Sequence, residues 1–204
     1  MYILKAFRED DTAVLHELMQ EYSFAILVTQ HDTVPLASHL PFVLDTSRGS
    51  FGTLRSHMAR ANWQWHDFDG VHEALTIFQG PHAYISPSWY EVELSVPTWN
   101  YAAVHAYGVP CIIEDKQEVY EMLKSLIQKH EARFERPWPS ALPDDYVQKM
   151  IAGTVGFEME ITRLEGKFKL SQNRSKQDQA QVIAALDEYA VADVAELMRK
   201  RLNK

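Results

Sequence analysis

The sequence predicts an α+β fold in which closely spaced, mostly antiparallel strands fill the first half and helices dominate the second. Short β-branched segments separated by turn residues favour a barrel or sandwich over alternating βα units. After residue 115, Val119, Met122, Leu123, Leu126 and Ile127 fall on one helical face. Hydrophobic residues make up 46% and charged residues 24% of the chain, as is typical of a globular protein.

Length and charge limit the classes of protein. The 204 residues suit a single domain spanning 1–204, with 175–204 as a C-terminal helical extension. A net charge of −8 argues against a surface that binds nucleic acid as a whole. One cysteine excludes an internal disulfide or a thiolate zinc cluster. No apolar run reaches about 18 residues, and the acidic start is unlike a secretory signal, so we expect a cytoplasmic protein.

The first half predicts one helix followed by strands. Asp10 or Asp11 begins the helix, because either carboxylate can cap free N–H groups. Pro35 and Pro41 restrict the second strand to an edge, an end or a bulge. The dipeptide Gly80-Pro81 is predicted to stop the fourth strand, with 82–85 resuming the sheet. The predicted strands are 24–29, 34–44, 50–58 and 73–79, with a short helix or tight loop at 59–65.

The second half is predicted to be mainly helical. Helices are expected over 115–134 and from Asp144 or Asp145 to Ile151, and 157–162 alternates like a half-buried strand. The last segment, 176–203, predicts a helical hairpin with Val182, Ile183, Leu186 and Tyr189 on one face.

The segment 56–62 carries a candidate anion site. The guanidinium of Arg60 is a planar donor fork, and Ser56, His57 and Asn62 add a hydroxyl, an imidazole and an amide. Together these groups suit a phosphate. The alternative is a solvated arginine beside an asparagine turn.

Aromatic side chains are dense between residues 80 and 101. Trp89, Tyr90, Trp99 and Tyr101 lie beside proline-containing turns. Rigid rings at this density suit a flat heteroaromatic ligand or a subunit interface. An aromatic mini-core under a loop is the alternative.

A third segment, 164–174, concentrates positive charge in an acidic chain. Lys167, Lys169 and Arg174 are joined there by Ser171, Gln172 and Asn173. These groups suit an anionic cofactor, although a charge run is also typical of a solvated turn. No metal-binding motif is present among the nine histidines, and Cys111 in its apolar setting predicts an inert buried thiol.

Taken together, these segments resemble the PaiB-like, FMN-binding negative transcriptional regulators. The resemblance runs almost end to end. It is carried by Met1-Tyr-Ile with Phe7-Arg8, and by 38–42 (SHLPF), 57–62 (HMARAN), 78–90 (FQGPHAYISPSWY), 96–101 (VPTWNY) and 166–174 (GKFKLSQNR). Departures are Leu4 and Ala6, where the family tends to have Pro and His, and Trp63, where it tends to have Pro.

The resemblance implies a split β-barrel like that of pyridoxamine-phosphate oxidases, working as a homodimer with FMN between the subunits. By analogy, the phosphate would lie on Ser56, His57, Arg60 and Asn62. The isoalloxazine ring would pass the strand at His39, Leu40 and Pro41. Trp99 or Lys169, Gln172 and Asn173 would approach it from either subunit.

Three functions remain open beside an FMN-binding regulator. No helix-turn-helix is evident, and Arg199, Lys200, Arg201 and Lys204 form the one compact basic group, so we expect regulation to be indirect. The three functions that remain open beside the regulator are an FMN-dependent oxidoreductase, a haem-binding split barrel and a purely structural dimer. No catalytic residue is assigned; His82, Tyr84 and His105 are the nearest candidates for acid–base chemistry.

Overall fold

The computed structural model describes residues 1–91, 94–138 and 142–202. The helices are α1 (Thr12–Glu21), α2 (Lys116–Glu131), α3 (Asp144–Ala152), α4 (Lys176–Glu188) and α5 (Ala192–Leu202). The strands are β1 (Arg8–Glu9), β2 (Phe24–His31), β3 (Val34–Pro41), β4 (Val43–Asp45), β5 (Thr53–Ala59), β6 (Ala74–Ile85), β7 (Thr98–Gly108), β8 (Pro110–Ile112), β9 (Thr154–Glu160) and β10 (Arg163–Lys169).

The strands form two sheets, and the α+β class predicted from the sequence is confirmed. The larger sheet has the order β1-β10-β7-β6-β2-β3, and the smaller has the order β4-β5-β9-β8. The registered pairs are antiparallel; Ile26 of β2 faces Ile77 of β6, and His57 of β5 faces Gly156 of β9. Short antiparallel connections of this kind are what the dense turn residues predicted.

The strand predicted over 34–44 is two strands, which belong to different sheets. The break falls at Phe42, which is 1% exposed and whose backbone N–H donates to the carbonyl of Ser23 at 2.8 Å. Pro41 ends β3, which is an edge strand, as the two prolines indicated.

The predicted stop at Gly80-Pro81 is wrong, because β6 continues through both residues to Ile85. A Cβ at position 80 would meet Cδ1 of Leu18 at 3.0 Å and the carbonyl oxygen of Ala102 at 3.2 Å. Glycine therefore permits close packing at this position and does not end the strand.

The helix predictions are confirmed with small shifts of boundary. The side chain of Asp11 accepts from the N–H of Ala13 at 3.0 Å, and Asp115 accepts from the N–H of Gln117 at 2.8 Å. The hairpin is formed by α4 and α5; residue 203 of its predicted range lies outside the described residues. Sequence periodicity missed β10 and the short strand β1.

The chain divides into two compact units, and a single domain over 1–204 stays a prediction. Unit 1 comprises 1–18, 79–104 and 165–204; unit 2 comprises 19–78 and 105–164. The core of unit 1 includes Leu15, Ile85, Val104, Leu170 and Val182. The core of unit 2 includes Leu27, Leu54, Phe42, Phe78 and Phe157, with Phe42 and Phe157 in edge-to-face contact at 6.1 Å.

No helix within the described residues is long and apolar enough to cross a membrane.

Candidate functional site

The candidate residues lie in both compact units of the chain. His39, Leu40, Pro41, Ser56, His57, Arg60 and Asn62 belong to unit 2; Trp99, Lys169, Gln172 and Asn173 belong to unit 1. Their roles in binding a cofactor stay predictions.

Ser56 and Asn62 attach their segment to β3. The hydroxyl of Ser56 donates to the carbonyl oxygen of Pro41 at 2.7 Å, and Nδ2 of Asn62 donates to the hydroxyl of Ser38 at 2.8 Å. Oδ1 of Asn62 also accepts from the N–H of Gln64 at 3.1 Å and caps the short 3₁₀ helix that begins at Trp63. Both side chains therefore position the strand that carries His39.

Gln64 is a third attachment, which sequence reasoning missed. Its side chain is fully buried, and its Nε2 lies 3.1 Å from the carbonyl oxygen of Leu27 and 3.0 Å from that of Leu36. A buried amide with these partners joins β2 and β3 to the 3₁₀ helix. No periodic pattern in the sequence indicates this role, because the partners of Gln64 are about 30 residues away in the chain.

His57 points to the face of β5 opposite Ser56, since side chains alternate along a strand. Its Nδ1 is buried and has no hydrogen-bond partner within the described residues. Burial lowers the pKa of the imidazole below its usual 6.5. The ring is therefore neutral at pH 7, with an unused polar atom.

Arg60 is held at the end of α3. Its Nε donates to the carbonyl of Ala152 at 2.9 Å, and its Nη2 donates to that of Thr154 at 3.0 Å. The guanidinium lies 5.8 Å from the ring centroid of Trp65, whose indole N–H donates to the carbonyl of Arg60 at 3.0 Å. These contacts fix the cation although the residue is exposed.

A cavity of about 260 Å³ adjoins the Arg60 guanidinium. Lys116, the first residue of α2, also lines it, so the cavity has two cationic residues in its lining. Glu114 is the acidic residue at the same cavity. Sequence reasoning missed Lys116, because it is 56 positions away from Arg60 in the chain; its position after the Asp115 cap was a weak signal that a helix N-terminus lies here.

The strand predicted to carry the ring of the cofactor, β3, presents His39 to solvent and Leu40 to the core. His39 pairs across the sheet with Ile26, and its ring lies 6.4 Å from that of Phe24. On the same outward face, Ile26 pairs with Ile77. The surface beside His39 is therefore apolar.

Trp63 replaces the proline expected at its position and joins a stack of rings. Its indole is 51% exposed, lies stacked 4.9 Å from the ring of His66 and meets His31 edge-on at 4.3 Å. His66 also stacks on Trp65 at 3.7 Å. The bulky residue thus packs along the 3₁₀ helix.

In unit 1, Lys169 and Trp99 lie together. Nζ of Lys169 donates to the carbonyl oxygen of Trp99 at 2.6 Å and to the hydroxyl of Thr98. Burial lowers the pKa of this ammonium, and the positive charges of Lys167 and Arg174 lower it further. The three cations therefore share one region of unit 1, as their clustering in the sequence indicated.

Gln172 and Asn173 lie in the turn after β10. The side-chain amide of Gln172 bonds to nearby backbone groups. It accepts from the N–H of Leu170 at 2.7 Å and donates to the carbonyl of Phe168. Asn173 is exposed. Ser171 adopts a positive φ of 64° and bonds to buried Asn100 at 2.9 Å, which fixes the turn.

The aromatic side chains between residues 80 and 101 do not form one cluster but take part in separate contacts. Trp99 is 53% exposed and lies near His82 and Tyr84, with ring centroids 6.1 and 6.0 Å away. Tyr90 is buried, and the Cζ of Arg174 lies 4.2 Å from its ring centroid. Trp89 stacks on Tyr189, with ring centroids 5.9 Å apart. The exposed group around Trp99 therefore retains a surface for a ligand or a partner.

The prediction of a buried thiol is wrong, because Cys111 is exposed. It lies on the short strand β8, in which Pro110 is buried and both Cys111 and Ile112 are exposed. The apolar residues on either side of Cys111 did not indicate which side chains of this segment face the core.

The fold is a split β-barrel. A flavocytochrome, Anf3 of Azotobacter vinelandii, superposes with a TM-score of 0.58 at 14% identity, covering 85% of this chain and 75% of that one. An FAD and heme binding protein of Mycobacterium smegmatis gives a TM-score of 0.60 at 14% identity, covering 85% and 78%. The predicted split-barrel class is confirmed.

Sequence comparison identifies the family. Residues 1–163 match the family described as "Putative FMN-binding domain". A Bacillus subtilis (strain 168) protein, "Protease synthase and sporulation protein PAI 2", is 37% identical over 209 residues, covering 100% of this chain and 99% of that protein. The chain belongs to this PaiB-like FMN-binding family, and the predicted resemblance and cofactor, FMN, are confirmed at that level.

Proposed function

We propose that the protein works as a homodimer that holds FMN at the seam between its subunits. The observation that carries this proposal is the outward face of the larger sheet in unit 2. There Ile26, Val28, Leu75 and Ile77 form two directly paired, half-exposed rows, and Phe24 beside them is 67% exposed. An apolar surface of this kind is typical of a protein–protein contact.

A second copy is the partner that suits this face. Symmetric dimers pair identical patches, and a sheet face rich in isoleucine, leucine and valine is complementary to itself. A stable interface buries about 800 Å² per partner. His39 lies at the border of the face, so a flat ring packed against β3 would be enclosed when a second copy covers it. Trp99, Lys169, Gln172 and Asn173 are proposed to complete the ring site.

The residues present fit the phosphate of FMN. His57 has a buried nitrogen without a partner, and Arg60 and Lys116 place two cations at one cavity. We assign phosphate contacts to His57 and Arg60, with Lys116 as an addition to the predicted set. Ser56 and Asn62 are assigned a positioning role, since their polar atoms already bond to β3. Bound FMN supplies electron-transfer chemistry; the protein groups bind and orient it.

Flavin titration of the purified protein tests the phosphate site. We expect the visible absorbance of bound FMN, and we expect Arg60→Ala to weaken binding by about tenfold or more, because a charge-assisted contact is lost. Arg133→Ala is the matched control, as Arg133 contacts the ring of Phe134. A protein that does not bind FMN at micromolar concentration would contradict the proposal.

Sedimentation analysis tests the dimer separately. Ile77→Glu places a charge on the apolar face and is expected to give monomers. Val71→Glu is the control, because Val71 is 73% exposed in a loop. A monomeric unmodified protein, or a dimer unaffected by Ile77→Glu, would reject this interface.

Regulation is proposed to act indirectly. Arg199 pairs with Asp187, Lys200 with Glu17 and Glu196, and Arg201 with Glu9, so the basic group on α5 is neutralised within unit 1. Lys204, its fourth predicted member, lies outside the described residues. Paired cations release few counterions from DNA. We expect no specific complex with promoter DNA at physiological salt; a saturable, sequence-specific shift would contradict this.

A second candidate function, an FMN-dependent oxidoreductase, is favoured by the exposed ring cluster of His82, Tyr84 and Trp99. An imidazole and a phenol beside an exposed indole suit contact with a flavin or its substrate. His105, the other candidate, lies on β7 in unit 2 with its ring 6.3 Å from that of Tyr107. Anaerobic reduction of bound flavin by a nicotinamide cofactor would support the enzyme, and slower reduction in His82→Gln would implicate the imidazole.

A further inference from the structure

An apolar groove lies between α2 and α3 in unit 2, and none of the predicted flavin residues lines it. Its volume is about 360 Å³, within the range of small-molecule pockets. Leu123 and Ile127 line it from α2, Val147 and Met150 line it from α3, and Trp138 is a further lining residue.

The groove lies against a small core that α2 and α3 share. Val119, Met122 and Ile151 are buried in a shared core with Ile113, and the partly buried side chains of Leu123 and Val147 pack against that core. Beyond this core, Trp138 is 45% exposed and Met150 is 50% exposed. Concave apolar surface of this kind is typical of a ligand site.

One cation borders the apolar walls. Lys124 of α2 lines the groove, and within the described residues it has no ion-pair partner. Glu121, three positions before it, instead accepts from the side chain of Gln117 at 3.0 Å. An ammonium on a flexible stem beside apolar walls attracts an anion whose remainder is hydrophobic.

We propose that this groove binds an amphipathic monocarboxylate with an aliphatic chain of medium length. The chain would lie between Leu123, Ile127 and Met150, with the carboxylate at the Nζ of Lys124. The groove-lining part of α2, from Tyr120 to Ile127, spans about 10 Å, which sets the scale of the ligand. This inference goes beyond the FMN site and does not depend on it.

Calorimetric titration of the full chain with decanoate, below its micelle concentration, tests the proposal. We expect saturable binding of one decanoate per chain, and no comparable binding of decyltrimethylammonium, which has the opposite charge. Lys124→Gln is expected to weaken decanoate binding by about tenfold. Lys149→Gln is the matched control, because Lys149 is an exposed lysine of α3 outside the groove.

Met150→Glu tests the apolar wall by placing a carboxylate in the groove at a half-exposed position. We expect this variant to lose decanoate binding while keeping the melting temperature and FMN affinity of the unmodified protein. Equal binding of the cationic detergent, an unchanged affinity in Lys124→Gln, or no saturable heat would overturn the proposal. A changed sedimentation coefficient in Met150→Glu would also overturn it, since a protein partner would then occupy the groove.

Discussion

The hydroxyl of Ser56 donates a 2.7 Å hydrogen bond to the carbonyl oxygen of Pro41. This bond joins the segment predicted to hold a phosphate to the strand predicted to carry the flavin ring. Asn62 repeats the connection through Ser38. The two parts of the proposed flavin site in unit 2 are therefore linked through buried or half-buried polar contacts.

Ser56→Ala is expected to destabilise the protein without FMN by about 1–2 kcal/mol, because the carbonyl of Pro41 loses the partly buried hydrogen bond from Ser56. Urea denaturation measures the change as a lower midpoint. Ser125→Ala is the control; Ser125 is an exposed residue whose hydroxyl bonds to the carbonyl of Met122 within the same helix, so its loss should cost less than about 0.5 kcal/mol. Equal midpoints for the two variants would show that the Ser56 bond does not stabilise the fold.

Burial of His57 makes stability depend on pH. Its folded-state pKa is lowered, so the unfolded chain binds more protons as the pH falls below 6.5. The contribution of His57 to the free energy of unfolding is fully present above pH 6.5, the pKa of the imidazole in the unfolded chain. It is lost as the pH falls from there towards the lower pKa of the imidazole in the folded protein. His57→Gln should flatten this part of the profile of unfolding free energy against pH.

The salt dependence of the same profile provides the control for His57. Desolvation is not screened by ions, whereas surface ion pairs are. The difference between the unmodified protein and His57→Gln should therefore persist in high salt. A difference that salt abolishes would contradict burial as the cause.

Trp63→Pro is expected to leave folding and flavin binding nearly unchanged. Proline is accepted at the first position of a helix, and the cap from Asn62 to Gln64 does not involve the indole. We expect the FMN dissociation constant to change by less than about threefold. Trp65→Phe should weaken FMN more, because Trp65 bonds to the backbone of Arg60. Loss of binding in Trp63→Pro alone would assign the flavin contact to Trp63.

Gly108→Ala is expected to cost about 3 kcal/mol of stability, because a Cβ there would lie 2.1 Å from the backbone oxygen of Glu160. Gly153→Ala is the matched control; its nearest neighbour would be 3.6 Å away, at the carbonyl of Met150. Thermal denaturation should separate the two variants clearly. Similar melting temperatures would show that the backbone around Gly108 can yield.

Much of the fold could be predicted from the sequence, because helices and edge strands have local causes. Asp115 and the stripe from Val119 to Leu126 specify α2 through capping and periodicity, and the prolines of β3 specify an edge. The family also followed from the order of long segments. Long-range packing was less accessible: Gly80 accommodates Leu18 and Ala102 and does not break its strand.

The residue types of the candidate site could be read from the sequence, because Ser56, His57 and Arg60 place a hydroxyl, an imidazole and a cation within five positions of the chain. Where these side chains point depends on the folded structure. Because side chains alternate along a strand, His57 points to the face of β5 opposite Ser56. Ser56 bonds to Pro41 only because folding brings these two segments together. Lys116 reached the cavity of Arg60 in the same way. Such contacts depend on which segments meet in space, and local sequence patterns do not contain that information.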